Sequence, residues 1–315
     1  MTAETTENPA GPPGKASDAP SPRALARRRR RASAARFWKE YRVHRAGLFG
    51  LAALTLFVLV ALTAPLTVGS DVDSVTDAPG QPLESPSGRF PLGTDQFGRD
   101  LLGLLVWGSR VSLLVGLLAA ALSVAIGAVI GITAGHFRGW YATVMMRITD
   151  WFLVMPTLVL AIVLATVMSR SLGTIVLAIG VTTWPTTARL VRAQTLAVES
   201  RPYIERARAL GGGHWHVMSR HVLPNVMPLV LAQTTLIISS AILAEATLAF
   251  LGLGDPTVVS WGGLLQDARE AGSVSSGDWW YLVPPGVGIA VVALAFTLCG
   301  RAVEAVLNPR LGVSR

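Results

Sequence analysis

The stretch RARALGGGHWHVMSRHVLPN (206–225) is a polar, glycine-broken segment that lies between two long apolar runs. It contains three arginines, three histidines and three consecutive glycines. The flanking runs have the length and apolar character of membrane-spanning helices, so the segment is predicted to be a loop outside the hydrocarbon core. A loop of this length is expected to have secondary structure of its own, and its polarity is expected to serve a function. Both expectations help to predict the fold.

The composition is that of a membrane protein. Of the 315 residues, 51% are hydrophobic and 15% are charged, whereas a soluble domain carries about 25% charged residues. We predict an all-α membrane protein with six transmembrane helices, each near the roughly 20 apolar residues that a bilayer requires. The predicted spans are 46–69, 111–135, 147–168, 172–190, 226–250 and 281–304.

The first predicted span is an uncleaved anchor rather than a signal peptide. Residues 1–45 precede it, and its apolar run is longer than the roughly 7–15 residues of a signal sequence. The run RRRRR (27–31) fits either a patch for anionic lipid or nucleic acid, or a topology signal on a flexible tail. Residues 1–22 are rich in Pro, Ala, Thr and Ser and are expected to be disordered.

The distribution of basic residues predicts the orientation. Of 27 Lys and Arg, 11 precede the first span. With that end in the cytoplasm, the cytoplasmic segments and inner span ends hold 22 basic residues and the outer segments hold 5. This is the positive-inside pattern, and it puts both termini in the cytoplasm. It also accounts for the net charge of +8 without nucleic acid as a partner.

The segment between the fourth and fifth spans is predicted to form a helix, a glycine turn and a second short helix. Ser200 is the expected N-cap, and Pro202 fits the first turn. Glycines 211–213 end the helix because glycine adopts left-handed conformations freely. The apolar stripe of the helix fits either a groove on a partner or the bilayer surface. That stripe consists of Tyr203, Ala207 and Leu210.

Ionisable residues are expected to pair structurally rather than to catalyse. Arg201, Glu205 and Arg208 lie at pairing distances on one helical face, and Arg147 lies one turn from Asp150. The loop histidines do not share a face, so no metal site is expected. The sequence has no phosphate-binding loop, HExxH or GxSxG motif, and we expect no catalytic residue and no cofactor. The loop histidines are His214, His216 and His221.

The polar loop resembles the cytoplasmic signature loop of ABC-transporter permeases, which reads E-A-A-x-x-x-G-x9-I-x-L-P. Arg206 and His221 depart from the pattern, at an alanine and an isoleucine position. The resemblance implies that the loop is a coupling helix that sits in a groove of a separate ATPase subunit. The positions that match are Glu205, Ala207, Gly211, Leu223 and Pro224.

Three further segments resemble the dipeptide/oligopeptide branch of these permeases. They are FPLGTDQFGRDLLGLLVWGSRVSLLVG (90–116), WPTTARLVRAQTL (184–196) and ILAEATLAFLGLGDPTVVSWGGLL (242–265). With the loop they cover most of residues 40–310, and the chain is identified as a member of the C-type permeases. The resemblance implies the type I importer fold in a bacterial cell membrane. It also implies a second, B-type permease, two ABC ATPases, an extracytoplasmic binding protein and a peptide substrate.

The expected domain organisation has one permease core with the first helix packed outside it. A basic, partly disordered cytoplasmic tail precedes that helix, and a short cytoplasmic tail ends the chain. The segments are the tail 1–45, the first helix 46–69, an extracytoplasmic loop 70–110, a five-helix core 111–305 containing the coupling loop 195–223, and the tail 306–315.

Five polar or aromatic residues outside the loop are candidates for transport or support. Glu245 would line the translocation path and meet a peptide amino group, or would be a carboxylate bonded near the interface. Trp184 would line a gate or pack at a helix kink. Asp95, Arg99 and Asp100 would dock the binding protein or brace their own loop, with Arg99 bridging both acids.

Two other classes of membrane protein fit less well. An intramembrane hydrolase would need paired Asp, a Ser/Lys pair or a histidine-rich metal set within its spans, and none is found. A stand-alone secondary transporter or channel would usually show inverted repeats or paired broken helices, and it would not need the signature loop. Within the resembling family, nickel chelates and other small solutes stay open as alternative substrates.

Overall fold

The computed structural model describes Ala32, residues 35–69 and residues 71–307. Within the unit Met1–Glu40, residues 35–40 are helical. The unit Tyr41–Arg315 holds the helices described below. The predictions for residues 1–22 and for the basic run 27–31 lie outside the described residues.

The described part of the chain is built from helices and contains no strand beyond an isolated β-bridge between Thr94 and Asp100. Two π-helical segments, Met218–Val222 and Ala249–Leu253, precede and follow the long helix α8. In chain order the helices are α1 (Arg45–Thr67), α2 (Leu101–His136), α3 (Trp140–Val154), α4 (Thr157–Val167), α5 (Leu172–Glu199), α6 (Pro202–Ala209), α7 (His214–Val217), α8 (Leu223–Leu248), α9 (Trp261–Glu270), α10 (Ser273–Ser276) and α11 (Trp279–Leu307).

Within the described residues, five helical segments are long and apolar enough to cross a membrane, and α3 with α4 makes a sixth if the bent pair counts as one span. The predicted all-α membrane fold is therefore confirmed, with five or six candidate spans. Two boundaries were wrong by about ten residues: α2 begins at Leu101 rather than at 111, and α5 ends at Glu199 rather than at 190. Asp100 sets the start of α2, because its carboxylate accepts hydrogen bonds from the amides of Leu102 and Gly103.

The third predicted span, 147–168, is broken in the structure. The axes of α3 and α4 meet at 90°. Met155 is extended, with φ −77° and ψ 135°, as expected for a residue before proline. Pro156 has no N–H to continue the helix and becomes the N-cap of α4.

The α3–α5 contact combines an ion pair with an aromatic contact. Arg189 donates to Asp150 Oδ1 at 2.6 Å, so the expected pairing of Asp150 with Arg147 is wrong. Trp184 is buried, and its ring centroid lies 5.5 Å from that of Phe152 at an interplanar angle of 61°. An edge contact of this kind favours a fixed packing of the two helices.

The most extensive helix packing is between α2 and α5, and glycines make it possible. Gly127, Gly131 and Gly135 lie at i, i+4 spacing on the face of α2 that meets α5. A Cβ on Gly131 would lie 2.7 Å from both the Ala188 carbonyl oxygen and Val191 Cβ. Small residues at such positions let helix backbones approach each other in a membrane.

The buried residues of helix α1 are all small, although Leu54 and Phe57 also pack against the core. Its buried residues are Gly47, Gly50, Ala61 and Ala64, whereas Leu62 and Leu66 are exposed. The partner of its first turns is α11, where Gly50 faces the Ala295 carbonyl and Cys299. Most of the α1 side chains therefore point away from the bundle, as expected for a lipid-facing helix.

Candidate functional site

The polar loop between α5 and α8 has the predicted helix–turn–helix form, with one error at its start. Pro202 occupies the first turn of α6, as expected, but the N-cap is Arg201 rather than Ser200. Ser200 instead ends α5, where its amide donates to the Leu196 carbonyl. Helix α5 runs further than predicted, so only a very short connection separates α5 from α6.

The glycine turn closes α6 with a paired hydrogen-bond motif. Gly211 is left-handed, with φ +83°. Its amide donates to the Arg208 carbonyl at 2.9 Å, and the Gly212 amide donates to the Ala207 carbonyl at 2.9 Å. These two bonds are those of a glycine C-cap, which satisfies the last carbonyls of a helix. The turn is therefore well defined rather than a loose link.

The two sides of the loop differ in burial. Ile204 and Val217 are fully buried in the hydrophobic core that also contains Val222. Leu210 and Trp215, on the other side, are 88% and 77% exposed. The loop is therefore anchored to the bundle by one face and presents large apolar side chains on the other, which is typical of a binding surface.

An open groove runs across the exposed side of the loop. The structure brings four predicted residues together in it: Tyr203, Ala207, Leu210 and Gly211. Glu205 does not line this groove and is exposed on α6. Leu223 and Pro224 also lie apart from it, in the first turn of α8, where Leu223 packs against the core. The groove lining that sequence reasoning missed consists of Arg206, Gly212, Gly213, His216 and His221.

The charged side chains of the loop pair differently from the prediction. Arg208 forms an ion pair with Glu199 at the end of α5, not with Glu205. The other oxygen of Glu199 lies 2.6 Å from His136 Nδ1 at the end of α2, and His136 Nε2 lies 2.9 Å from His214 Nδ1 in α7. No pattern in the sequence indicated this cluster, because its members are separated by 63 and 78 residues.

Glu245 is held inside the bundle near the C-terminal end of α8. The residue is 1% exposed, and Ser112 and Ser260 lie beside its carboxyl group. Its Oε2 atom has no hydrogen-bond partner. Ser112 also accepts from the Trp261 amide at 3.1 Å. The carboxyl group therefore lies where α2, α8 and the start of α9 meet, whereas Trp184 packs on α3.

The loop between α1 and α2, which the sequence predicts to be extracytoplasmic, is braced by a buried ion pair. Arg99 Nε donates to Asp95 Oδ2 at 2.6 Å, and Arg99 Nη1 donates to the Asp73 carbonyl at 3.1 Å. Asp95 is fully buried and Arg99 is 7% exposed. The expected bridge from Arg99 to both acids was wrong for Asp100, whose carboxylate caps α2 instead.

A cavity of about 330 Å³ opens beside this ion pair and is lined by Arg99, Arg170, Asp255 and Asp267 among others. Burial raises the pKa of Asp267, and the nearby Arg99 opposes that rise. Hydrogen bonding from the Thr257 hydroxyl lowers the pKa of Asp255. The described residues contain no group of three His, Cys, Asp or Glu placed to hold a metal ion.

Comparisons with known proteins cover almost the whole chain. Residues 127–313 match the family model described as the binding-protein-dependent transport system inner membrane component. Residues 34–86 match the model for the N-terminal transmembrane domain of oligopeptide transport permease C.

Three relatives from different bacteria are similar over most of their length. The dipeptide transport system permease protein DppC of Alkalihalophilus pseudofirmus is 33% identical over 87% of this chain and 89% of its own. The di/tripeptide transport system permease protein DppC of Pseudomonas aeruginosa is 36% identical over 87% and 91%. The glutathione transport system permease protein GsiD of Pectobacterium atrosepticum is 32% identical over 87% and 90%.

Proposed function

The chain belongs to the family of binding-protein-dependent transport system inner membrane components, the permeases of bacterial ABC importers, and from that premise we propose that it imports short peptides. It is a multi-pass protein of the inner membrane. The similar permeases are named for dipeptides, di/tripeptides and glutathione. Glutathione is itself a tripeptide, so these names share one class of cargo. This shared class supports short peptides over nickel chelates, the alternative cargo.

We propose that the chain forms half of the translocation path and works in a larger assembly. A second, B-type permease would complete the path, two ABC ATPases would bind at the cytoplasmic face, and an extracytoplasmic binding protein would deliver the peptide. The sequence contains no phosphate-binding loop, so ATP hydrolysis is assigned to the partners. This dependence on partners argues against a transporter that works alone.

The observation that carries the coupling role is the exposed apolar surface of the loop. Leu210 and Trp215 are largely exposed at a turn that its hydrogen bonds hold in one conformation. Burying a large apolar side chain contributes about 1.5–3 kcal/mol, and a preorganised surface loses little entropy on binding. We assign Tyr203, Ala207, Leu210 and Gly211 to contact with the ATPase.

Of the remaining loop residues, Glu205 would add a charged contact, and Leu223 and Pro224 would carry the motion. Glu205, exposed on α6, would face a basic group of the ATPase. Leu223 packs against the core at the start of α8, and Pro224 lies in the same first turn. They would therefore connect the loop to α8. Closure of the ATPases on ATP would move the loops and bias the permease between inward-open and outward-open states.

Glu245 and Trp184 are proposed for the translocation path and its support. Glu245 has a buried oxygen without a partner, a costly arrangement that a cationic group of the cargo would relieve. Trp184 packs between α5 and α3 and would hold the kinked span in place. Asp95 and Arg99 are buried, which supports bracing of the outer loop over docking of the binding protein.

The test combines assembly and activity in the complete transporter. The chain is co-purified with the partner permease and both ATPases, and ATPase stimulation is measured with binding protein loaded from a mixed peptide digest. Leu210→Ala should weaken ATPase docking by about 2 kcal/mol, roughly thirtyfold. Gly211→Asp should abolish stimulation, because it adds a charged side chain to the contact surface.

Gly211→Asn is the matched control, since asparagine tolerates the left-handed conformation of Gly211 and adds similar bulk without charge. No heavy atom lies within 4 Å of a Cβ at this position, so neither variant clashes inside the chain. The coupling role would be abandoned if Leu210→Ala and Gly211→Asp both left assembly and stimulation at the wild-type level.

A further inference from the structure

The cluster of Glu199, His136 and His214 joins the loop to two helices of the bundle. Glu199 ends α5, His136 ends α2, and His214 begins α7 within the loop. The side chains of His136 and Glu199 are 1% and 3% exposed. Phe137 lies against both imidazole rings, with centroids 4.9 Å from His136 and 5.4 Å from His214. The His136–Glu199 hydrogen bond is therefore shielded and stronger than the same bond in water, whereas His214 is exposed on the loop side.

The contact with α2 is the informative one, because α2 is not connected to the loop along the chain. Helix α2 has 36 residues, about 54 Å at 1.5 Å per residue. Its other end is the Asp100 cap at the extracytoplasmic loop. A pull on His136 therefore acts on a helix that reaches from the loop to the outer side of the permease.

We propose that His136, Glu199 and His214 are positioning residues that transmit displacement of the loop into α2 and α5. This inference rests on the proposed coupling function of the loop. Ile204 and Val217 also attach the loop to the bundle, but apolar contacts are non-directional. The hydrogen bonds that link Glu199, His136 and His214 are directional, so they fix the direction in which the loop can pull on α2 and α5.

The proton arrangement of this chain follows from its acceptors. Both oxygens of Glu199 are engaged, one by Arg208 and one by His136 Nδ1. A carboxylate only accepts, so His136 Nδ1 carries a proton. One further proton then lies between His136 Nε2 and His214 Nδ1, and either ring can hold it. The cluster thus keeps its bonds with His136 neutral or with His136 as a cation.

The hydrogen bond between the His136 and His214 rings is lost if both imidazoles become cations. With both imidazoles cationic, N–H groups would face each other across the 2.9 Å gap, and two like charges would lie in contact. Among the described residues, Glu199 of α5 bonds His136, and Arg208 of α6 bonds the other oxygen of Glu199. The Tyr141 hydroxyl of α3 is engaged by Thr133 instead. The hydrogen bond between the rings therefore requires that at most one of them is a cation.

The test measures stimulated ATPase activity of the complete transporter in nanodiscs from pH 7.5 to 5.5, a range in which histidine side chains gain protons. At pH 7.5, His214→Ala should lower stimulation by about fivefold or more, the lower bound of a typical coupling free energy. The ATPases should stay bound in a pull-down. His214→Asn should keep stimulation, because its amide can donate or accept near the Nδ1 position and does not titrate.

The pH profile separates a coupling role from a merely structural one. As the pH falls, the ratio of His214→Asn activity to wild-type activity should rise. His44→Asn removes another histidine, at the start of α1, whose side chain caps no helix. Its ratio to wild type should stay constant with pH.

The proposal is overturned if His214→Ala keeps wild-type stimulation, if His214→Asn loses as much as His214→Ala, or if the His214→Asn ratio does not change with pH. Gly211→Asp, measured in parallel, distinguishes failure of the positioning role from failure of the coupling function. If Gly211→Asp loses stimulation and His214→Ala does not, only the positioning role fails. If neither loses it, the coupling function of the loop fails as well.

Discussion

Replacing Gly131 by alanine tests whether the α2–α5 contact is as close as the structure indicates. The new Cβ would lie 2.7 Å from the Ala188 carbonyl oxygen and 2.7 Å from Val191 Cβ. Ordinary carbon contacts lie at about 3.5–4.0 Å, so one helix must shift by about 1 Å. The obstacles are a backbone oxygen and a Cβ, and neither can rotate away. Overpacking of this kind costs about 1–3 kcal/mol.

Alanine also favours the helical state over glycine by about 1 kcal/mol, and this gain must be separated from the clash. Gly286 in α11 supplies the control, because no heavy atom lies within 4 Å of a Cβ there. The difference in unfolding free energy between Gly131→Ala and Gly286→Ala isolates the clash, about 1–3 kcal/mol.

The assay is equilibrium unfolding of the purified chain in mixed micelles with increasing SDS, followed by tryptophan fluorescence. Gly286→Ala should be at least as stable as the wild type, and Gly131→Ala should be less stable than Gly286→Ala. Equal stability of the two variants would refute the close packing of α2 on α5.

Three further features are tested by the same unfolding assay: the cap of α2, the buried ion pair and the partly buried carboxyl group of Asp267. Asp100→Ala removes the α2 cap and should cost about 0.5–2 kcal/mol, whereas Asp100→Asn should cost little; equal losses would argue against capping. Arg99→Met leaves the buried Asp95 carboxylate unpaired and should cost about 3–5 kcal/mol, while Asp150→Ala, in an exposed pair, should have little effect. Burial raises the pKa of Asp267, so the folded chain binds its proton more tightly and this group lowers stability as the pH rises above its ordinary range. Asp267→Asn should therefore be more stable than the wild type at pH 7 and equal to it in acid, and a constant difference at all pH values would contradict this.

Much of the fold could be predicted because the number and order of the membrane-spanning helices depend mainly on one quantity, the length of each apolar segment. The six spans follow from runs of about 20 apolar residues, and the glycine turn follows from the left-handed conformation that Gly211 adopts. The errors lie where local chemistry overrides hydropathy. Asp100 starts α2 early by capping it, and Pro156 divides a span that is continuous in apolar content.

The sequence predicted the residues on the exposed face of the loop, but it did not predict the contacts that anchor the other face to the bundle. The spacing of Tyr203, Ala207 and Leu210 identified the stripe that lines the groove. Helical spacing could not reveal that Arg208 reaches Glu199 on the preceding helix, because pairing rules within one helix favour Glu205. The contacts among His136, Glu199 and His214 depend on how three helix ends meet, which is a tertiary property.

Cysteine labelling of the loop tests the coupling account most directly. The chain has one cysteine, Cys299, and it is buried, so Leu210→Cys introduces the accessible thiol. Maleimide labelling of this variant is measured in the isolated permease pair and in the complex with the ATPases. If the loop docks on the ATPases, the thiol of Leu210→Cys is labelled rapidly in the permease pair and is strongly protected in the complex. The protection should change when ATP closes the ATPase dimer. Equal labelling rates with and without the ATPases would contradict the coupling account.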